Sequence, residues 1–484
     1  MSIPRYIQFL SCSLLVIAWT NTSADSYPKY RMDDASLLSD GNIRVRSLGR
    51  SAQTLEDPPK YKSWSGFYTS LYSSGRGFSQ KGGVQSDAAA KTSAKASLSP
   101  ELGWIGKSTT WEGQFLVSPY LTYMVKDDSQ TKIYRLTDGE AIGSLSLRLG
   151  GVGFRAEGGR GFQRLDSAGF LFASIANYAE FGWSVPSWKI RGGFIGLEFQ
   201  SQFSYLPRDT TQSPLRVKGG DFLWEPEHII KSLRFFYYQY SEPRQEPVKA
   251  SYFQTAEPFR AYGFFRYSGI EWEFLKFKEM KFDGSAFHVE GRRENGTDAF
   301  NSYDTRQATN AWMGTLSGTL ESESYSVFAR VLYATKDRTF RTDHDSNGFA
   351  GIKGDPRGFL APVSILLLRD FQAKQDSPFY GIDSVRTPNY ENSGMQYYQT
   401  GIRKELDGGW SMTLATGIGI SYIGRGLELI AAGGWKGELG YLLLGAAYAW
   451  VKPGQDESYI LDEIRRPIAV REYFRWYASA GIRF

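Results

Sequence analysis

Residues 410–422 read Trp410-Ser411-Met412-Thr413-Leu414-Ala415-Thr416-Gly417-Ile418-Gly419-Ile420-Ser421-Tyr422, an alternation of large apolar with small or polar side chains. The large apolar side chains therefore fall on one face of an extended chain, namely Trp410, Met412, Leu414, Ile418 and Ile420. Successive side chains of a β-strand point to opposite faces. The stretch therefore predicts a β-strand with one apolar face and one small, polar face.

The same pattern recurs along the chain in segments about ten residues long. It is seen at 111–125, at 312–320 and, after the turn Glu321-Ser322-Glu323-Ser324, at 325–333. Aromatic residues make up 15% of the sequence, many of them at the ends of the apolar faces, and there are 52 glycines. This combination is typical of a transmembrane β-barrel, in which lipid-facing and lumen-facing residues alternate and aromatic girdles mark both membrane interfaces.

A soluble β-sandwich would also show alternation, but the connections between strands favour the barrel. Some are tight, such as 406–409 and 436–437, whereas others are long and polar, such as 291–311, 336–360 and 452–471. Short periplasmic turns and long outer loops are the expected asymmetry of an outer-membrane barrel. The sequence thus predicts an all-β fold, a transmembrane antiparallel β-barrel in a bacterial outer membrane.

The C-terminus has a pattern of its own. Every second residue back from the end is apolar or aromatic, including Phe484, Ile482 and Trp476. This arrangement resembles the terminal β-signal of outer-membrane barrels, which implies recognition by the barrel-assembly machinery and insertion among outer-membrane lipids. We expect these three residues to form the assembly signal.

The number of strands follows from requiring that consecutive strands run in opposite directions. Nineteen candidate segments can be marked, and a single-chain bacterial barrel has an even number. The prediction is 18 strands, with 16 as the alternative. It includes a strand at 361–371 and a returning strand at 379–386, and it leaves 170–175 open as a strand or a short helix. In this scheme of alternating strand directions, the connection 206–230 falls at the wrong end of the barrel.

The N-terminus predicts export. One basic residue, Arg5, precedes an apolar run over residues 9–19 and a small residue, Ala24, after which we expect cleavage. The predicted organisation is a signal peptide at 1–24, a polar periplasmic extension at 25–60 and the barrel at 61–484. The only cysteine, Cys12, lies within the signal peptide.

The predicted function is a channel for diffusion or export of small polar solutes. Charged residues on the polar faces are its candidate pore lining: Glu112, Arg148, Glu271, Glu273, Arg330 and Arg475. Several arginines facing one lumen would favour anionic or saccharide-like solutes. A net charge of +5 gives no reason to expect nucleic-acid binding.

Two other functions remain open from sequence. The barrel could anchor a surface-binding or adhesion protein that acts through its long loops. An outer-membrane enzyme is disfavoured, because the chain has only three histidines, His228, His288 and His344, and no serine motif lies near His288. No catalytic residue is predicted.

No cofactor is predicted apart from calcium in one loop. The segment Asp343-His344-Asp345-Ser346-Asn347-Gly348 follows the opening of an EF-hand calcium loop, in which oxygens at alternate positions converge on the ion. The position of the closing glutamate is occupied by Gly354. Asp343, Asp345 and Asn347 are therefore either calcium ligands or parts of a polar turn.

At the family level, the size and predicted strand number resemble the alginate-export type of barrel or a substrate-specific porin. That resemblance implies a channel, and it is one of architecture, which does not by itself fix function.

Overall fold

The computed structural model describes the chain over residues 64–81, 91–128, 130–199, 215–226, 229–242, 262–274, 279–295, 305–336, 347–349, 351–352, 358–367, 394–421, 424–437, 439–453 and 471–483. The predicted signal peptide and the predicted extension at 25–60 lie outside the described residues. No helix in the described part of the chain is long and apolar enough to span a membrane.

The described residues form 18 β-strands and two short 3-10 turns, Pro186–Trp188 and Asp407–Gly409. The strands are β1 Trp64–Lys81, β2 Lys91–Lys107, β3 Trp111–Asp128, β4 Gln130–Leu149, β5 Val152–Arg164, β6 Ala173–Val185, β7 Ile190–Phe199, β8 Leu215–Trp224, β9 Ile230–Glu242, β10 Tyr262–Phe274, β11 Met280–Asn295, β12 Thr305–Glu321, β13 Tyr325–Ala334, β14 Met395–Leu406, β15 Trp410–Ser421, β16 Gly424–Lys436, β17 Gly440–Pro453 and β18 Arg471–Arg483.

The strands close into a barrel. Each pairs antiparallel with the next along the chain, and β1 pairs with β18 from Tyr72↔Arg483 to Lys81↔Phe474. Closure removes the unpaired edge strands that an open sheet would expose, which is the condition for a sheet to lie in lipid. The predicted all-β barrel of 18 strands is confirmed, and the alternative of 16 is wrong.

The two ends of the barrel differ in their connections. At one end neighbouring strands are joined by turns at most five residues long, such as the pair Gly150 and Gly151 between β4 and β5. Both glycines have positive φ, 56° and 84°, which a two-residue hairpin of this kind requires. The opposite end carries the long connections, above all 335–394 between β13 and β14.

The outer surface of the barrel is apolar. Trp410, Met412, Leu414, Ile418 and Ile420 of β15 are between 41% and 58% exposed, whereas Ser411 between them is buried. The other predicted strands follow the same rule, with Trp312, Leu316 and Leu320 exposed on β12. Large apolar side chains cover the outside, and charged and hydroxyl side chains occur among those inside, which matches a barrel surrounded by lipid.

Two details of the predicted strand list differ from the structure. Residues 361–367 form no strand and instead fold as a buried loop inside the barrel, so the prediction of a strand there is wrong. An apolar run that packs on an interior surface has the composition of a strand without its pairing. The predicted strand at 379–386 lies outside the described residues.

The structure also decides the two regions that the sequence left open, 170–175 and 206–230. Residues 170–172 end a buried loop and β6 begins at Ala173, so the short helix considered for 170–175 does not form. The connection 206–230 contains β8, whose inclusion restores the alternation of strand directions.

Candidate functional site

The inner wall of the barrel carries charges of both signs. Among the described strands, the buried charged side chains are Glu101, Glu112, Glu140, Arg155, Glu157, Arg191, Asp221, Arg234, Glu271, Asp283, Arg330, Arg403, Glu428 and Arg475. Many of them form ion pairs, as Arg155 does with Glu157 at 2.5 Å. Burying a charge is costly unless a partner satisfies it, and here the partners lie on the same strand, on neighbouring strands or on loops inside the barrel.

The structure places the six predicted pore-lining residues on the inward face of their strands. Glu112, Glu271, Arg330 and Arg475 are buried, and Arg148 and Glu273 are half-buried. Glu112 lies 3.5 Å from Lys107 Nζ and Glu273 lies 2.6 Å from Lys231 Nζ, both near the end with short turns. Their role in lining a pore stays a prediction. Two of them, Glu271 and Arg475, bind loops that lie inside the barrel.

The first of these loops, residues 165–172, connects β5 to β6 and folds into the barrel. Its turn is closed by Asp166, whose carboxylate accepts hydrogen bonds from the backbone N–H groups of Phe170 and Leu171, each at 2.7 Å. Burial, together with the nearby carboxylate of Glu271, raises the pKa of Asp166 to about 6, against the lowering effect of those backbone N–H groups.

Arg234 of β9 anchors this loop to the wall. Its guanidinium binds Asp221 of β8 at 2.7 Å and Glu271 of β10 at 2.5 Å, and it donates a hydrogen bond to the carbonyl of Leu165 at 2.8 Å. Glu271 in turn accepts hydrogen bonds from the N–H of Ser167 at 2.7 Å and from its hydroxyl at 2.9 Å. The planar fork of arginine suits such a buried junction, because it bridges several acceptors at fixed angles.

The second loop, residues 358–367, belongs to the long connection between β13 and β14. Glu428 of β16 is fully buried and accepts hydrogen bonds from the hydroxyl of Ser364 at 2.7 Å and from the N–H groups of Ile365 and Leu366 at 2.8 and 3.1 Å. The hydroxyl of Tyr397 donates to the same carboxylate at 2.5 Å. This one side chain therefore satisfies four donors, three of which belong to the loop.

Two further wall residues bind the backbone of the second loop. Arg475 donates to the carbonyl of Pro362 at 2.5 Å, and the side-chain amide of Gln399 donates to the carbonyl of Phe359 at 2.8 Å. Arg330 reaches Gln399 Oε1 at 3.3 Å and stacks over the ring of Phe328, 4.1 Å from its centre. The loop is thus fixed to β14, β16 and β18.

The two loops also contact each other. The rings of Phe170 and Phe359 meet edge to face, 6.3 Å apart. Ile352, which lies in the same β13–β14 connection ahead of the second loop, donates its N–H to the carbonyl of Leu171 at 2.8 Å. Both loops belong to one buried apolar cluster with inward aromatic residues of the wall, including Tyr238 and Tyr397. Together they narrow the lumen from the end with long connections.

Sequence reasoning did not find Asp221, Arg234 or Glu428 as site residues. Glu428 carried a usable signal, because a single carboxylate stands between the outward apolar residues Leu427 and Leu429. The loops that occupy the lumen gave no comparable signal, since their binding partners lie far away in sequence: Ser364 and Glu428 are 64 positions apart.

The remaining predicted residues fall at the margins of the described chain. Asp343 and Asp345 lie outside it and Asn347 is exposed, and no group of three potential metal ligands occurs in the described part. Trp476 faces outward and Ile482 is half-buried on β18, whereas the placement of Phe484 lies outside the described residues. His288 is on the outer wall, its ring 4.3 Å from that of Trp312.

A closed antiparallel barrel with an apolar outer surface, a charged inner wall and loops folded inside defines the class of this protein, an outer-membrane type of β-barrel. No protein-family model matches the chain, and no curated protein matches it either.

Solved structures of similar architecture include OccAB1 of Acinetobacter baumannii, at 11% identity over 86% of this chain and 97% of that chain, with a TM-score of 0.49. Pseudomonas aeruginosa OprD has 10% identity over 92% and 100% of the two chains, with a TM-score of 0.46. OpdK of Pseudomonas aeruginosa, solved with vanillate, has 11% identity over 87% and 100%, with a TM-score of 0.38. Identities and TM-scores at this level are too low to carry a function from those proteins to this chain.

Proposed function

We propose that the protein is an outer-membrane channel for small polar solutes, anions among them, with a lumen narrowed by the loops 165–172 and 358–367. The observation that carries the proposal is the opposition of the two barrel surfaces. The outer one is apolar, and the inner one holds charged and hydroxyl side chains on nearly every strand. A barrel used only as an anchor does not require a charged interior, whereas a path for polar solutes does.

The hydroxyl groups of the inner wall support a polar path beside the loops. The Ser285 and Thr315 oxygens lie 2.6 Å apart on neighbouring strands, as do those of Ser99 and Ser118. Hydroxyls both donate and accept hydrogen bonds, so a row of them can replace the hydration of a passing solute. The predicted preference for anions rests on inward arginines such as Arg330 and is part of the proposal.

The constriction is the part of the channel that sets its size. Both loops are held by buried carboxylates, Glu271 and Glu428, and releasing either loop should widen the path. In this proposal the partners of the protein are outer-membrane lipid, the barrel-assembly machinery and the solute. No catalytic role is proposed, since the one histidine in the described part of the chain, His288, lies on the outer wall beside Trp312 and Asn310.

Planar-bilayer recording of the purified protein tests the function. We expect steady ion conductance from the wild type and a higher single-channel conductance from Glu428→Ala, in which the second loop loses its main anchor. The matched control is Ala329→Leu, an apolar change on the lipid-facing side of β13 that should leave conductance unchanged. A wild-type protein that inserts but never conducts would overturn the channel and leave surface binding through the outer loops as the function.

A further inference from the structure

The outward face of the barrel holds two cations directly opposite each other. Arg425 of β16 and Lys452 of β17 are register partners, and both are exposed. They share the outward side with Leu427 and Trp450, which face each other two positions further along the strands. Side chains on directly opposed residues start about 5 Å apart, and like charges in this relation repel.

Among the described residues, the groups next to the pair are apolar or already bonded elsewhere. Ile420 of β15 is the register partner of Arg425 on its other side. Glu472 of β18, an acidic residue on the outward face, is the register partner of Trp450 and makes a side-chain hydrogen bond with Tyr448. Neither cation forms an ion pair with any residue that the structure describes.

The surface next to the pair is apolar and aromatic. Ile418 and Leu427 are 47% and 41% exposed, and the rings of Tyr448 and Trp450 meet edge to face, 4.7 Å apart. Arg425 and Lys452 lie one residue from the ends of their strands, at the end of the barrel with the long connections. The pair therefore marks the boundary at which lipid-facing surface gives way to water, where aromatic residues concentrate and basic side chains reach for headgroups.

We propose that Arg425 and Lys452 form a binding site for the phosphate-bearing headgroup of a membrane lipid, whose acyl chains lie along Leu427 and Trp450. A phosphate group neutralises both cations, and a guanidinium binds it through two parallel hydrogen bonds. A lipid is the occupant that brings a negative charge to the rim and apolar chains to the surface below it. The site is separate from the lumen and does not depend on the proposed channel.

Native mass spectrometry of the full-length mature protein in detergent tests the site, with a bisphosphorylated glycolipid as the probe. We expect Arg425→Gln and Lys452→Gln each to weaken retention of this lipid about fivefold, and the double variant about 25-fold, from the contribution of one basic residue at an anionic surface. The same glycolipid without phosphates should bind the wild type no better than it binds the double variant. Inorganic phosphate at millimolar concentration should not displace the lipid.

Arg216→Gln is the matched control. Arg216 is also an exposed cation at this end of the barrel, but it forms an ion pair with Glu198 at 2.9 Å and should not affect lipid retention. Arg425→Lys keeps the charge and should retain most of the binding. The shift in electrophoretic mobility on heating checks that each variant is a folded barrel.

Three results would overturn the site. The wild type and the folded double variant could retain the phosphorylated glycolipid equally, or the wild type could bind the phosphate-free glycolipid as well as the phosphorylated one. The third is displacement of the phosphorylated glycolipid by inorganic phosphate. Unchanged conductance of the double variant separates this test from that of the channel.

Discussion

Adjacent residues on one strand of this barrel face lipid and lumen, and β13 allows the difference to be measured. Ala329 is exposed on the outer face, whereas Arg330 is 4% exposed on the inner one. Ala329→Arg places a charge in hydrocarbon near the middle of the strand and should lower the free energy of unfolding by about 2–4 kcal/mol. Urea unfolding in lipid vesicles measures this loss.

Two variants control that experiment. Ala329→Leu keeps the position apolar and should leave stability unchanged. Arg330→Ala should shift the reversal potential of the channel away from anion selectivity. Normal stability of Ala329→Arg would show that the face assignment is wrong, and identical reversal potentials for wild type and Arg330→Ala would exclude Arg330 as a determinant of selectivity.

Glu428 is the residue on which the second loop depends most. In Glu428→Ala the N–H groups of Ile365 and Leu366 lose their acceptor while they remain buried. Leaving a buried donor unsatisfied costs about 2 kcal/mol, so hydrogen exchange of these two amides should speed up roughly thirtyfold. Glu112→Ala is the control, because Glu112 is a buried inward carboxylate that binds Lys107 near the end with short turns. Equal exchange in both variants would contradict the anchoring role.

At the scale of the element, the β5–β6 loop should respond to pH through Asp166. Its pKa is about 6 in the folded protein against an ordinary value of 3.8, so docking of the loop favours the protonated form. The stabilisation is complete below pH 3.8 and is lost as the pH rises through 6, an effect on the order of 3 kcal/mol. After correction for intrinsic rates, the Phe170 amide should therefore be better protected at about pH 4.5 than at about pH 7.5.

The control for that pH dependence is Asp166→Asn, which keeps an acceptor in the turn and cannot titrate. It should flatten the difference between the two pH values. Glu271, Arg234 and Asp221 also face this loop, so a pH dependence that survives in Asp166→Asn would assign the titration to that cluster instead.

The loop containing Asp343, Asp345 and Asn347 carries the prediction of a calcium site. If these oxygens bind the ion, chelation should increase proteolysis within 336–360, because the ion would tie three points of the loop together. Peptide mapping after brief digestion, with and without chelator, measures the effect. The double variant Asp343→Asn, Asp345→Asn should be cleaved equally in both conditions, and a wild type that behaves in the same way would exclude the site.

The strands of the fold were largely predictable, whereas the loops of the site were not. Alternation identifies β3, β12, β13 and β15, because lipid on one side and polar groups on the other impose a period of two. The same pattern wrongly predicted a strand over 361–367, because these residues are apolar in order to pack inside the barrel. Its position depends on Glu428, Gln399 and Arg475, and no local pattern encodes contacts of that separation.

At the scale of the whole molecule, the barrel exists only when its first and last strands meet. The pairing of β1 with β18 runs to Arg483, next to Phe484 of the proposed assembly signal. Phe484→Lys should reduce the amount of heat-modifiable barrel in the outer membrane while export across the inner membrane continues, because an unclosed sheet cannot lie in lipid. Ser322→Lys, at an exposed position in the turn between β12 and β13, is the control and should assemble normally. Unchanged outer-membrane levels of Phe484→Lys would contradict the assignment of the C-terminus as an assembly signal.

The alternation of faces has a consequence for how such a protein can evolve. Outward and inward positions of a strand are under different selective pressures. The bilayer constrains the outward positions, and the transported solute constrains the inward ones. Substitutions at the inward positions can therefore change solute selectivity while the outward positions stay the same. Divergence of the inner wall and its loops would then change the transported solutes while the barrel stays the same. Sequence identity would therefore decrease faster than structural similarity.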